Sequence, residues 1–355
     1  MNTQIASQRL ENQRITYPGS RRPEDLVKWF GAVQAQDYAA AKWALGLRMP
    51  DGATDAAIER AVNDGRILRT HVMRPTWHFV AASDIHWMLE LTAPRVQRTL
   101  AYAYRQNELD DATRARATGV MERALSGEQP LTRAELNTHL ARAGIMVKGI
   151  RLALLTVHAE LERVICSGAR RDKQSTYTLL EKRAPNPKRL SKEETLAELT
   201  TRYFRSHGPA TIRDFVWWSG LATTDAKRGL EMCRAEHDVI DGRMYWTTGR
   251  PRASGTRRGP VHLLPIYDEY LVAYRDHDAV PRAKASFGIL PQALVAAGQV
   301  AGAWKAVMRG NELVVDVVTR RQLTGVEPRA LAETVRRYGW FIGRAVAINC
   351  NLQGK

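Results

Sequence analysis

Along this chain, apolar positions recur at helical spacing in short blocks, and pairs of such blocks are followed by stretches in which apolar and polar residues alternate. "LTRAELNTHLARAGI" opens with Thr132 three residues ahead of Glu135, the spacing of a capping box, and places Leu136 and Leu140 on one helical face. After Gly144 and Gly149, "IRLALLTVHAELERVIC" puts Leu154, Val157, His158 and Leu161 on a second helical face. "ICSGARRDKQSTYTLL" then supplies two β-prone arms around a basic tip. Helix, turn, helix, hairpin is the order of a winged helix.

The pattern returns downstream. Ser191 and Glu194 form another capping box, the chain breaks at Gly208-Pro209, and Thr211 restarts a helix as its N-cap in "HGPATIRDFVWWSGL". A third helix in "TTDAKRGLEMCRA" precedes "HDVIDGRMYWTT", where Asp241-Gly242 between alternating apolar residues predicts a two-residue hairpin. The N-terminal region follows the same template. "RPEDLVKWFGAV" aligns Leu26, Phe30 and Val33, "AAAKWALGLR" and "TDAAIERAVNDG" predict two more helices, and "RILRTHVMRPTWHFVA" is β-rich with an edge or bend at Pro75.

The last hundred residues change character: "VHLLPIYDEYLVAYRD", "GQVAGAWKAVMRGNELVVDVV" and "WFIGRAVAIN" are β-prone, with a turn at Gly310-Asn311 and a single late helix in "PRALAETVRRYG". The fold class expected is therefore α+β, with three tandem winged-helix motifs and a C-terminal β-barrel-like domain. The expected boundaries are 1–125 (first winged helix and a connecting helix), 126–182, 191–249 and 260–355. "KRAPNPKRLSK", at 182–192, has five basic residues and two prolines and reads as a linker.

Composition then narrows the partner. Lys and Arg total 53 against 37 Asp and Glu, a formal charge of +16 over 355 residues, which points to a polyanion, with nucleic acid first. No run approaches the roughly 18 apolar residues of a membrane span, and the first residues lack the apolar core of a signal peptide, so a cytoplasmic, nucleoid-associated protein with no membrane partner is expected. Cys166, Cys233 and Cys350 are odd in number and far apart, which argues against disulfides and a Cys-rich zinc site. Winged helices present a helix to the major groove and a wing beside it. The basic residues that would face DNA are Arg170, Arg171 and Lys173 in one tip, Arg250, Arg252, Arg257 and Arg258 in "RPRASGTRRGP", and Arg309. The arginine loop reads equally as a solvated segment. Tips at 168–174 and 308–312 and the loop 250–258 all qualify to enter the minor groove.

"VQAQDYAAAKWA" sets Gln34 and Gln36 one residue apart, followed by Asp37 and a helix-prone stretch. Taken alone it is a polar turn, with Asp37 as the N-cap of the next helix or as a stabiliser of positive charge. "FGAVQAQD" with "LRTHVMRPTWHFV" and "HLLPIYDEYLVAYRDHD", however, resembles the AlkZ and YcaQ group of winged-helix DNA glycosylases over nearly the whole chain. The resemblance implies three tandem winged helices and a β-barrel, excision of N7-alkylated purines, unhooking of interstrand crosslinks in some members, and a catalytic motif of Gln, an apolar residue and Gln. Gln34-Ala35-Gln36 matches that motif, with Ala35 smaller than the usual middle residue.

Amides suit this chemistry. A base alkylated at N7 is already cationic and leaves as a neutral molecule, while the sugar acquires oxocarbenium character. What remains is to hold a water and surround the sugar with oxygen dipoles, without a strong base. Strand alternation puts Arg74, Thr76 and His78 on one face, opposite residues 71, 73 and 75, and the resemblance places that face near the glutamine pair. His71, His78 and His86 lack the spacing of a metal site, so no metal and no cofactor are expected. No lysine sits in a Schiff-base motif, which favours a monofunctional enzyme acting on alkylated duplex DNA as a monomer. The competing readings are a non-catalytic winged-helix regulator and a nuclease built on "YDEY", whose Asp268 and Glu269 are expected to be structural. Trp217 and Trp218 are expected to anchor the core.

Overall fold

The computed structural model describes residues 2–249, 257–281, 292–310 and 312–352. The chain begins with α1 (Asn2–Asn12), α2 (Pro23–Phe30), β1 (Ala32–Gln34), α3 (Tyr38–Arg48), α4 (Asp55–Asn63), β2 (Ile67–His71) and β3 (Trp77–Ala81). Pro23 opens α2 with Glu24 and Asp25 in its first turn, and Gly31, at φ +86°, ends it so that β1 can turn back along it. The three strands form one antiparallel sheet in the order β1-β3-β2. A long α5 (Ile85–Gln106) and α6 (Asp111–Ala124) lead into β4 (Leu131–Thr132), α7 (Arg133–Arg142), α8 (Arg151–Leu161), β5 (Ile165–Ser167), β6 (Thr176–Leu179) and a single turn, α9 (Leu180–Arg183). Then come α10 (Lys192–Ser206), α11 (Ile212–Ser219), α12 (Thr223–Met232), β7 (Glu236–Ile240) and β8 (Arg243–Thr247). The last part holds β9 (Val261–Leu264), α13 (Glu269–Val272), β10 (Ala293–Ala296), β11 (Gln299–Arg309), β12 (Glu312–Thr319), α14 (Glu327–Ile342) and β13 (Val346–Leu352).

Local signals act as expected. Thr132 with Glu135 and Ser191 with Glu194 close capping boxes, and Thr211 caps α11 with Asp214 completing a third. Asp241 and Gly242 take φ of +51° and +72° between β7 and β8, the left-handed pair that a two-residue hairpin requires. Trp218 is fully buried, whereas Trp217 is 43% exposed with its indole bonded to the Val272 carbonyl.

Three expectations are corrected. The C-terminal sheet is open among the described residues: its order is β13-β12-β11-β10-β9, and the two end strands do not pair. β13 runs parallel to β12 because α14 makes the crossover between them, and α14 packs across both β13 and β9, with Thr334 donating to the Val261 carbonyl at 2.8 Å. A helix thus covers the space where barrel closure would need strand pairing. "YDEYLV" is a capped helical turn rather than strand: Asp268 accepts from the Tyr270 amide, starting α13. The basic segment 182–192 is free only in part, because Lys182 donates to the Leu125 and Ser126 carbonyls and Arg183 to the Asn63 carbonyl; residues 185–189 are exposed.

The first sheet decides where the rest sits, because both of its faces are buried in different cores. Ala32, Leu68 and Val80 join one apolar cluster with α5, α8 and the 191–221 region. Val33, Ile67, Phe79 and Ala81 join a second with α1 to α4 and the C-terminal sheet. Residues alternate between two cores rather than between core and solvent, so apolar runs replace the usual alternation.

Ion pairs tie these parts together. Arg48, at the end of α3, binds Asp268 in a bidentate pair at 2.7 Å on each arm, and Gln13 accepts from it at 2.9 Å, with both charged side chains at most 2% exposed. Replacing Arg48 by Met leaves Asp268 buried without its partner. Urea unfolding near neutral pH should show a loss of about 3 to 5 kcal/mol, and a loss below about 1 kcal/mol would contradict this account.

Candidate functional site

The segment 34–37 lies at the open end of the first sheet, where the apolar pairs run out. Register places Gln34 opposite His78, and the Ala35 amide donates to the Trp77 carbonyl at 2.7 Å. Arg69, from β2, donates to the Ala35 carbonyl at 3.0 Å and the Gln36 carbonyl at 3.2 Å while its guanidinium lies 4.5 Å from the Trp77 ring centre. From the C-terminal region, Glu269 accepts the Gln34 amide at 2.6 Å. Asp37 then caps α3 by accepting from the Ala40 amide at 2.8 Å, as expected of it. The backbone of this turn is therefore held by side chains from β2 and α13 and by β3.

Both glutamine side chains are oriented. Gln34, half-buried, accepts at Oε1 from Arg74 Nη2 at 3.2 Å, while exposed Gln36 accepts at Oε1 from the Thr76 hydroxyl at 2.9 Å. Gln36 Oε1 accepts a second, longer bond from the Trp77 amide at 3.5 Å, whereas the Gln34 carbonyl keeps its second lone pair, and each amide nitrogen keeps its donors. Such a group can hold a water without removing its proton. Ala35, between them, is fully buried.

The strand reading of residues 71–78 needs correction in its geometry. His71 closes β2, Trp77 opens β3, and residues 72–76 form the turn, because Val72 and Met73 are buried in the first core and Pro75 has no amide to offer a ladder. Arg74 and Thr76 still reach the two amides from that turn. His78 does not line a polar surface: it is fully buried on β3, and neither ring nitrogen has a partner among the described residues. Burial, aided by the nearby Arg74 charge, pushes its pKa down to about 3, so it is a neutral imidazole. Burial also lowers the Arg74 pKa, against the opposing pull of Glu269. For Glu269 burial favours the neutral acid, but His207, the Gln34 amide and Arg74 outweigh it and hold the carboxyl below its ordinary range.

Beside the turn, a cavity of about 210 Å³ is lined by Tyr38, Arg69, Trp77, Arg133, Arg170 and Tyr177, among others. Arg170 lies 4.5 Å from the Tyr38 ring and 3.5 Å from Glu59, which places one proposed DNA contact at this border. Arg171 pairs with Glu135, and Lys173 is exposed in the same tip. Arg309 is elsewhere, in the β11–β12 hairpin, bonded to Asp316 at 2.8 and 2.9 Å. Arg257 is exposed, but Arg258 turns inward to the Leu47 and Met49 carbonyls and Asp51. Arg250 and Arg252 lie outside the described residues, as does Asn311 of the expected Gly310-Asn311 turn.

Arg69 escaped the sequence reading, and Glu269 entered it only as a structural residue. Arg69 sits in an apolar strand with nothing to distinguish it, and Glu269, 235 positions from Gln34, has no local signal that relates it to the motif.

A profile of the family described as DNA glycosylase AlkZ-like matches residues 27–341, a span that includes the glutamine turn, the 71–78 hairpin and α13. The chain belongs to the AlkZ-like DNA glycosylase family. It is similar to a Streptomyces sahachiroi protein named interstrand DNA cross-link repair glycosylase, at 26% identity over 344 residues, covering 88% of this chain and 89% of that one. Among solved structures it is similar in fold to Streptomyces sahachiroi DNA glycosylase AlkZ, with a TM-score of 0.78 at 21% identity and 98% of each chain covered. The AlkZ-like resemblance carried by "FGAVQAQD" and "HLLPIYDEYLVAYRDHD" is thus shown over most of the chain.

In this AlkZ-like protein the buried histidines give stability a pH dependence. His262, on β9, is also fully buried, and burial with the Arg337 charge takes it to about 3. A histidine whose folded pKa is depressed binds fewer protons than the unfolded chain between that value and about 6.5, so stability is lost as pH falls below about 6.5. The depressed Glu269 carboxyl adds a loss of the same sign only at lower pH. Urea unfolding at a series of pH values between about 7 and 5 should show falling stability, at up to about 1.4 kcal/mol per pH unit for each such histidine. A flat profile would contradict the burial of these rings as neutral groups.

Proposed function

We propose that this protein is a monofunctional DNA glycosylase that hydrolyses the N-glycosidic bond of cationic N7-alkylated purines in duplex DNA, using a water held by Gln34 and Gln36. The observation that carries the reading is the pair of amides two residues apart, one half-buried and one exposed, with each carbonyl oxygen oriented by its own donor, Arg74 or Thr76. Their setting agrees with it: the turn is pinned at its backbone and borders a cavity with three arginines.

In this reading the lesion does most of the bond-breaking. A purine alkylated at N7 departs neutral, so no acid has to protonate it, in keeping with the neutral state of His78 beside the pair. As the bond stretches, positive charge spreads over the sugar ring. The free lone pair of the Gln34 carbonyl takes a water hydrogen, and the Gln36 carbonyl, held by Thr76 and the Trp77 amide, turns its dipole to the developing cation without having to reorganise. The water attacks the anomeric carbon and releases its proton to solvent as the abasic sugar forms. Unmodified purines, which need leaving-group protonation, are spared.

The curated relative is named for interstrand cross-link repair, and we extend unhooking of such crosslinks to this chain. A crosslinked base cannot swing fully into a pocket, so attack takes place with limited flipping. We take the helix, helix, hairpin units at 1–125, 126–182 and 191–249 as three winged helices that, with the sheet of 260–355, clasp the duplex as a monomer. The basic residues Arg170, Arg171, Lys173, Arg250, Arg252, Arg257, Arg258 and Arg309 remain our candidates for phosphate contact, with Arg258 the least accessible of those described.

Duplexes carrying N7-methylguanine or a neutral lesion, incubated with the protein and then heated in alkali, report abasic sites as strand breaks. Release of N7-methylguanine alone is expected, with Gln34→Ala and Gln36→Ala each slower by on the order of 100-fold. Full activity of both variants would overturn the glutamine reading, and no release from any N7 adduct would leave a DNA-binding protein without this activity. Thr76→Val removes the closer of the two donors to Gln36 at constant shape, and a reduction of about tenfold is expected in the same assay.

A further inference from the structure

Glu269 is an ionisable group buried where a neutral acceptor would have satisfied the same donors. It is 1% exposed, and its two oxygens serve different parts of the chain. Oε1 accepts the Gln34 backbone amide at 2.6 Å; Oε2 accepts the Trp218 indole at 3.0 Å and lies 3.3 Å from His207 Nε2. The first contact spans 235 positions and ends on the residue whose side chain the proposed chemistry uses.

The electrostatic setting is equally specific. Arg74 orients the Gln34 amide with a half-buried guanidinium, and no carboxylate lies within 4.0 Å of it among the described residues. A lone cation there would oppose the positive charge that grows on the sugar. Among the charges that reach Arg74, that of Glu269 pulls most strongly against the effect of burial, and the two groups grip Gln34 at its side chain and its backbone. A charge-assisted hydrogen bond is also shorter and more directional than a neutral one, which holds the end of β1 against displacement.

We propose that Glu269 is a positioning residue for base excision: its carboxylate fixes the Gln34 backbone, and with it the amide that meets the sugar, while countering the Arg74 charge behind that amide. The inference rests on the reading of Gln34 and Gln36 as the groups that hold water. His207 and Trp218 complete the cradle. His207 lies 4.7 Å from the Tyr203 ring and 5.3 Å from Phe30, in apolar surroundings that keep Glu269 from moving.

The test uses the full chain and duplex DNA with one N7-methylguanine, measuring single-turnover excision and DNA affinity separately, with the folded fraction from circular dichroism. Glu269→Gln keeps volume and one acceptor but removes the charge. Excision per folded molecule is expected to fall about tenfold or more with DNA affinity within about twofold of the parent. Thr334→Val removes a buried hydrogen bond between α14 and β9 that touches neither Glu269 nor Gln34, and is expected to lower stability while leaving excision per folded molecule unchanged. An unchanged rate in Glu269→Gln, or an equal fall in Thr334→Val, overturns the proposal in favour of a purely structural carboxylate. Gln34→Ala on the same DNA separates the two levels: if it is inactive while Glu269→Gln is fully active, only the Glu269 inference fails, and if it is fully active the glutamine reading fails and takes this inference with it.

Discussion

The structure depends on a three-stranded sheet with no solvent face. A slip of one residue in β1 would send Val33 into the core that holds Ala32 and Ala32 into the core that holds Val33, and would turn Gln34 away from the Arg74 guanidinium. Packing on two sides therefore specifies the register more strictly than a half-buried sheet would, and the glutamine turn inherits that precision at the one end where the apolar pairing stops. Rigid placement of the pair is a consequence of core formation, not a separate device.

Around that sheet, distant segments meet through buried polar contacts instead of a continuous interface of one kind. Arg48 joins α3 to the cap of α13, Arg202 on α10 binds Asp84 at 2.6 Å just ahead of α5, and Arg9 on α1 reaches the Pro209 carbonyl at 2.9 Å. Each buried charge has a partner, as its burial demands. The first of these anchors the α13 segment, which is why a short helical turn in the C-terminal region can hold a residue of the first sheet.

They also qualify the meaning of the charge. A formal +16 is consistent with a nucleic-acid partner, yet Arg9, Arg48, Arg202 and Arg258 face inward and do structural work, and Arg171 and Arg309 are paired on the surface. The arginines left to meet a polyanion are fewer than composition implies. Those around the cavity at Tyr38 and Trp77 are distinguished by place, since they border the glutamine turn.

What the sequence determined by itself was local. Thr132, Ser191, Thr211 and Asp37 cap their helices because a cap is a contract among neighbours three residues apart, and Asp241-Gly242 makes its hairpin because left-handed backbone is a property of the residues in it. The glutamine motif and the family resemblance were legible for the same reason: they are contiguous strings. The open sheet, the split of 71–78 into two strands and a turn, the burial of His78 and the reach of Glu269 to Gln34 were decided by tertiary structure alone. Each depends on which elements pack together over tens to hundreds of positions, and spacing along the chain carries no record of that distance.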